Sequence, residues 1–234
     1  MQLFYNPEIN SSNQEFTFDK TESRHIVRVL RKKDGDTILI TNGLGTLFTS
    51  KIIIANDKRC LVKITNIEAK TKPWNYYLHI VIAPTKLNDR FEWFLEKATE
   101  IGIDEITPII CDHSERKVLK LDRMEKIVHS AAKQSLKFHF PKLNQAIPFN
   151  DFINADLSGD LYIAHCEETD KKSLKFLVAF SSTSIKASLT YKAKLDISSS
   201  GLDTALSTKV LKPKPAGSGV SPTITLARVF SSLI

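Results

Sequence analysis

"YLHIVIAPTKLNDRFEWFLEKATEIGIDEITPIIC", residues 77–111, decides the fold. It opens with a continuous apolar run, as expected of a strand buried in a parallel sheet. "DRFEWFLEKATEIG" then has the period of a helix. Phe91, Phe94, Leu95, Ala98 and Ile101 make its apolar stripe, and Gly102 stands where the helix should close. "DEITPIIC" is a second apolar run. Strand, helix, strand at this spacing is a β-α-β unit, and strands joined through a helix run parallel.

The rhythm continues downstream. "KLDRMEKIVHSAAKQSL", residues 120–136, predicts another helix with Leu121, Met124, Ile127, Val128 and Ala131 inward, and "LYIAHC", residues 161–166, predicts a third strand. After that no further strand is legible, so the sheet is expected to end with an edge uncovered. Upstream the texture is different. "DTILITNG", "LFTSKIIIAN" and "RCLVKITNIEAK" are strands rich in β-branched residues, with "NDKR" turning between the last two. Four or five short strands in residues 3–72 suggest a small barrel. "KTKPWN", residues 70–75, reads as a linker, which divides the chain into domains at 1–72 and 73–234.

The apolar fraction of 42% and charged fraction of 25% are ordinary for a globular chain. No stretch reaches the roughly 18–20 apolar residues of a membrane span, and "MQLFYNPEINSSN" lacks a signal-peptide pattern. Cys60, Cys111 and Cys166 stand far apart, which fits reduced thiols in a cytoplasm. The net charge of +7 is unevenly placed. Residues 1–176 hold 26 Lys and Arg against 24 Asp and Glu, whereas residues 177–234 hold 7 against 2. Bulk charge is therefore a poor argument for a nucleic-acid partner, and local clusters are better ones.

The clearest cluster is "SRHIVRVLRKKDGD", residues 23–36. A helix is expected near Glu22–Lys33, capped by Asp19 or Thr21, with Ile26, Val27, Val29 and Leu30 inward. Arg24, Arg28 and Arg31 share another face, and Lys32 and Lys33 follow. Such a face is either a solvated surface or a phosphate-binding one, since the Arg fork gives paired hydrogen bonds to phosphate. Lys86 and Arg90 fall at the carboxyl end of the first parallel strand, where open α/β sheets bind ligands; ordinary surface charge is the other reading. Lys97 and Glu100 read as a surface ion pair. The loop "DHSERK", residues 112–117, could line the same cleft. His113 has no second ligand at metal spacing, and His165, Cys166 and Glu167 do not make a convincing metal or thiol site, so no metal is expected. Gly-x-Gly-x-x-Gly, Walker and Gly-x-Ser-x-Gly signatures are absent from the sequence.

Three blocks in this order resemble a known family: "HIVRVLRKKDGD" (25–36), "KLNDRFEWFLEKATEIGIDEITPIICDHSERK" (86–117) and "AAKQSLKFHFPKL" (131–143). Lys86, Arg90, Glu92, Trp93, Lys97, Glu100, Gly102 and Pro108 match the pattern of the bacterial 16S rRNA (uracil-N3)-methyltransferases of the SPOUT superfamily. The resemblance runs from about residue 1 to 175. It implies an N-terminal PUA-like RNA-binding β-barrel and a C-terminal α/β methyltransferase domain with a trefoil knot. It also implies S-adenosyl-L-methionine as methyl donor, a homodimer, and methylation at N3 of a uridine in 16S rRNA of the small ribosomal subunit. Arg24, Arg28, Arg31 and Lys32 would then grip RNA phosphates, and Lys86 and Arg90 become the candidate catalytic cations.

The last quarter departs from that pattern. The family expects Gly-Pro-Glu-Gly and then Leu-Arg-Thr-Glu-Thr-Ala. The first is absent here, and near the place of the second stands "VLKPKPAG", residues 210–217. Leu211, Lys212, Ala216 and Gly217 are the cofactor-binding candidates that remain. Residues 177–234 also hold 12 serines and show weak periodicity. Thr-Glu-Thr codons read one nucleotide late can give Pro-Lys-Pro, so residues 176–234 are expected to be largely out of frame; a divergent folded tail is the competing reading. The alternatives to a uracil-N3 methyltransferase are a non-catalytic RNA-binding remnant and an enzyme acting on another RNA uridine.

Overall fold

The computed structural model describes residues 2–112 and 114–155 in full, and beyond them the backbone of four strands. The chain forms two compact units, Met1–Pro73 with Lys126–Phe140 and Trp74–Glu125 with Pro141–Ile234.

In the first unit β1 (Leu3–Tyr5), β2 (Glu15–Thr17), β3 (Thr37–Thr41), β4 (Thr46–Ile54) and β5 (Leu61–Ala69) make one sheet in the order β1-β3-β4-β5-β2. β1 runs parallel to β3, and the other neighbours are antiparallel. This open, curved sheet is a half-barrel, the form expected from the resemblance to a PUA-like domain. A register shift between Ile52 and Ile54 leaves Ile53 as an extra residue on β4, and a strand bulged in this way bends. Phe4, Ile9, Phe18, Ile26, Ile38, Ile40, Phe48, Ile52, Cys60 and Val62 fill the concave side. Each large side chain there contributes about 1.5–3 kcal/mol by leaving water. Burial pushes the Cys60 thiol up to about 11, so it stays neutral and acts as a small apolar residue.

The basic segment closes one side of that core. α1 (Lys20–Arg24) begins at Asp19, whose Oδ1 accepts from the Glu22 N–H at 2.8 Å. The expected α-helix to Lys33 does not form. His25–Val29 is a π-helical turn, closed by the Leu30 N–H on the His25 carbonyl at 3.0 Å. The wider ring turns the side chains relative to α-helical spacing. Ile26 stays buried and Val27 and Leu30 pack on the core, but Val29 is 67% exposed, which corrects its inward assignment. Ser23 pins the segment. Its buried hydroxyl donates to the Phe18 carbonyl at 3.2 Å and accepts from the Cys60 N–H at 2.8 Å.

Residues 138–140 extend the same unit. The Gly45 N–H donates to the Phe138 carbonyl and the Phe140 N–H to the Gly43 carbonyl, both at 2.8 Å. Gly45 has φ +91°, and a Cβ there would stand 2.2 Å from His139 Cε1, so only glycine fits. Tyr5 stacks on Phe140 with ring centroids 4.5 Å apart.

The second unit is a parallel α/β layer. In chain order it has β6 (Tyr77–Ile82), α2 (Asn88–Ile101), β7 (Glu105–Ile110), α3 (Leu121–Gln134), β8 (Lys142–Leu143), β9 (Ile147–Pro148), α4 (Phe149–Asn154), β10 (Asp160–Ala164), β11 (Lys172–Ser173), β12 (Ala193–Lys194) and β13 (Thr223–Arg228). The first part of α3 belongs here, and from Lys126 the helix belongs to the first unit. Among the described residues the main sheet runs β10-β13-β6-β7-β8, all parallel, with β9 also on β7. The sheet therefore does not end after three strands. β13, "TITLAR", lies between β10 and β6, paired Thr223 to Tyr77 through Arg228 to Ile82. Its alternation of Thr with apolar residues was too short a signal in a serine-rich tail. The expected knotted crossing lies outside the described residues.

α2 buries Phe91, Leu95, Ala98 and Thr99. Ile101 is 76% exposed, which corrects its place in the stripe. Thr99 takes the inward position because its hydroxyl donates to the Leu95 carbonyl at 2.7 Å and needs no water. Gly102 ends the helix at φ +104°, with the Trp74 ring where a Cβ would be.

Candidate functional site

Two places carry the residues singled out by sequence, one in each unit. In the first, Arg24, Arg31 and Lys33 are exposed and Lys32 is half-buried. The carboxylates of the segment are used locally. Asp19 caps α1, Asp36 accepts from the Lys33 N–H at 2.9 Å, and Asp34 accepts from the Ala55 N–H at 2.5 Å. Among the described residues no carboxylate pairs with Arg24, Arg31 or Lys33. Arg28 differs, because Asp57 in the β4–β5 turn accepts from its Nε at 2.7 Å. Arg31 has φ +55°, so the chain reverses there and the three arginines are not on one straight helical face. Asp57 was missed by sequence reasoning because it lies in a turn whose docking on the π-helical segment only the fold creates.

In the second unit the carboxyl ends of β6 and β7 lie side by side. Strand order reverses at β6, where open α/β sheets leave a crevice. Ala83 and Pro84 are buried beyond β6, and Lys86 follows in the loop. Its side chain is 75% exposed and pairs with Glu115 at 3.1 Å. Arg116 donates through Nη2 to the Lys86 carbonyl at 2.9 Å. Its Nε is buried and has no hydrogen-bond partner among the described residues. Arg90 is exposed on the first turn of α2. Glu92, two residues on, is held by Arg123 at 2.7 Å, which ties α2 to α3. The structure thus brings Lys86 together with Glu115 and Arg116 and leaves Arg90 at the rim. Arg116 went unnamed in the sequence reading, although the strand-end rule pointed to its loop.

Lys97 is a surface ion pair as expected, hydrogen-bonded to Glu96 and Glu100, which together raise its pKa. Burial raises the Cys111 thiol, so it is no ready nucleophile. His113, His165, Cys166 and Glu167 lie outside the described residues, as do Leu211, Lys212, Ala216 and Gly217. Among the described residues no cluster of His, Cys, Asp and Glu could hold a metal, and no helix is long and apolar enough to cross a membrane.

A polar network on β6, β7 and the chain after β8 was not foreseen. Glu105 accepts from Tyr77 Oη at 2.8 Å and from Asn144 Nδ2 at 2.6 Å, and His79 Nε2 lies 2.7 Å from Thr107 Oγ1. Burial alone would raise Glu105, but hydrogen bonds from Asn144 and Tyr77 and the nearby His79 and Lys142 bring it net below its ordinary value. Burial lowers His79, against the pull of Glu105. Burial and the Glu105 bond raise Tyr77. The network sits at the amino-terminal halves of the strands, away from Lys86, and fixes strand register.

Comparisons with known proteins agree with both units. A profile described as an RNA methyltransferase domain matches residues 72–190, and one described as an RNA methyltransferase PUA domain matches 18–65. Ribosomal RNA small subunit methyltransferase E of Buchnera aphidicola (subsp. Acyrthosiphon pisum) is 34% identical over 146 residues, 59% of this chain and 56% of that protein. A crystal structure of a probable rRNA-methyltransferase from Porphyromonas gingivalis is 30% identical, with TM-score 0.70 over 97% of this chain and 79% of that one. The crystal structure of ribosomal RNA small subunit methyltransferase E from Neisseria gonorrhoeae bound to S-adenosyl methionine shares the fold, with TM-score 0.65 at 18% identity over 97% and 80% of the two chains. The chain spans 55–65% of the length of five curated relatives of that name. With both domain profiles matched in tandem, the chain belongs to the RNA methyltransferase family that joins a PUA domain to an α/β methyltransferase domain, the family of ribosomal RNA small subunit methyltransferase E.

Proposed function

We propose that this chain transfers a methyl group from S-adenosyl-L-methionine to N3 of a uridine in 16S rRNA of the small ribosomal subunit, as a cytoplasmic homodimer. The observation that carries the reading is the tandem match of the two domain profiles, over residues 18–65 and 72–190.

Arg24, Arg31 and Lys32 hold phosphates and position the RNA without reading its sequence, and Arg28 joins them by exchanging Asp57 for phosphate. Uracil N3 keeps its proton in neutral water, so the site must favour the anion. Lys86 and Arg90 stabilise the charge that develops on the uracil carbonyls. The rest is alignment of N3 with the methyl carbon. Bound S-adenosylmethionine would supply a sulfonium methyl that needs no covalent enzyme intermediate. The described residues fit such a ligand at one point: the buried, unpartnered Arg116 Nε is a donor awaiting an acceptor oxygen at the strand ends. Leu211, Lys212, Ala216 and Gly217 are proposed to line the rest of the cofactor site.

The test is methylation of small subunits from a strain lacking this modification, with the product mapped by mass spectrometry. N3-methyluridine in 16S rRNA is expected; a methyl group elsewhere, or none, overturns the assignment. The second reading, an RNA-binding remnant, draws on the missing Gly-Pro-Glu-Gly stretch. Heat of S-adenosylmethionine binding near equimolar stoichiometry excludes it.

A further inference from the structure

We infer that Arg116 is a ligand-binding residue of this site, donating through Nε to an oxygen that carries delocalised negative charge on the bound cofactor or target base while Nη2 holds the loop that carries Lys86. The inference rests on the function proposed above and adds to it a residue that neither the sequence motifs nor the comparisons assign.

The argument starts from an imbalance. A guanidinium offers five donors in a rigid plane and accepts nothing. Arg116 spends one on the Lys86 carbonyl at 2.9 Å, which fixes the plane against the β6–α2 loop. Glu115 holds the same residue from the side-chain end, through Lys86 Nζ at 3.1 Å. The β7–α3 loop therefore grips the β6–α2 loop twice, at neighbouring residues. Among the described residues Nε is left buried with no acceptor. Buried donors are nearly always satisfied, so an orphan at the carboxyl ends of central parallel strands points to an acceptor brought by a ligand. The neighbouring carboxylate, Glu115, is turned to Lys86 instead.

The chemistry that suits the plane is an oxygen sharing negative charge with a second atom across a carbon, as in a carboxylate or a deprotonating pyrimidine imide. The first would come from the amino-acid end of S-adenosylmethionine, the second from the target base. Lysine keeps the charge but cannot reach the Lys86 carbonyl and a ligand oxygen with one planar group.

The experiment compares Arg116→Gln and Arg116→Lys with the parent chain, after thermal unfolding shows that each variant folds. S-adenosylmethionine is titrated calorimetrically, and methyl transfer to unmodified small subunits is followed against pH. With a carboxylate acceptor, both variants bind S-adenosylmethionine about tenfold more weakly or worse, the size of one lost charge-assisted bond. With the pyrimidine as acceptor, cofactor binding is unchanged, and the acid limb of the rate profile moves up by about one pH unit. A loop clamp alone would lower the rate and the unfolding temperature and shift neither readout. The inference is overturned if the parent chain is active and both variants match it in cofactor affinity and in pH profile. If the parent neither binds S-adenosylmethionine nor methylates RNA, the proposed function fails first, and this inference with it.

Discussion

Arg28 Nε donates to Asp57 Oδ2 at 2.7 Å, tying the π-helical turn to the β4–β5 turn 29 residues away. The Arg28 side chain is 63% exposed, so the pair contributes little to stability, on the order of a few tenths of a kcal/mol. Its larger effect is on charge. Asp57 neutralises one cation of a patch whose other arginines are unpaired among the described residues.

RNA affinity should reflect that difference. Each of Arg24→Ala and Arg31→Ala should reduce the slope of log affinity against log salt by about 0.7–0.9. Arg28→Ala should reduce it less, because Asp57 already neutralises that cation. Asp57→Asn should raise affinity. Filter binding of small-subunit RNA across a salt series measures all four. Equal slopes for all variants would remove the basic segment from the interface.

Gly45 should be intolerant of any side chain. With φ +91° and His139 in the space of its Cβ, Gly45→Ala should cost at least about 2 kcal/mol in urea unfolding. The same contact predicts that residues 1–73 alone, without 126–140, lose cooperative unfolding. A well-folded fragment of 1–73 would show that the 138–140 segment is dispensable.

Acid should destabilise the second unit in two stages. His79 is held below its ordinary 6.5 by burial, so the unfolded chain protonates first and stability begins to fall as pH drops past that value. Glu105 sits below its ordinary 4.5, so a further loss follows in the carboxylate range. His79→Gln should flatten the first stage and Glu105→Gln the second. Urea midpoints from pH 8 to 4 report both, and unchanged slopes in the variants would contradict the assignment.

Coding DNA around residue 175 decides the origin of the tail. A single-base insertion or deletion should restore a Gly-Pro-Glu-Gly stretch, and the corrected protein should bind S-adenosylmethionine more tightly. An intact frame with no such stretch in any reading sinks the idea. The RNA methyltransferase profile continues to residue 190, and β13 takes a central place in the sheet, which are the observations that an out-of-frame tail would have to explain.

Particular residues show how far the sequence could be read. Phe91, Leu95 and Ala98 were legible as an inward stripe because period and apolarity agree there. Ile101 and Val29 were misread because a helix end and a π turn break the period just where they stand. Lys86 was found by the strand-end rule, whereas Arg116 became visible only through the donor it leaves unmatched.

Local pattern alone determined the strand-rich first part, the β-α-β repeat of the second and the cationic character of residues 24–33, because hydrophobic period and charge are properties of neighbours in the chain. Tertiary structure alone decided that Asp57 masks Arg28, that residues 126–140 complete the half-barrel, that β13 enters beside β6, and that Arg116 meets Lys86. Those are contacts between distant residues, and their geometry depends on how strands pair and loops dock, which no short window of sequence encodes.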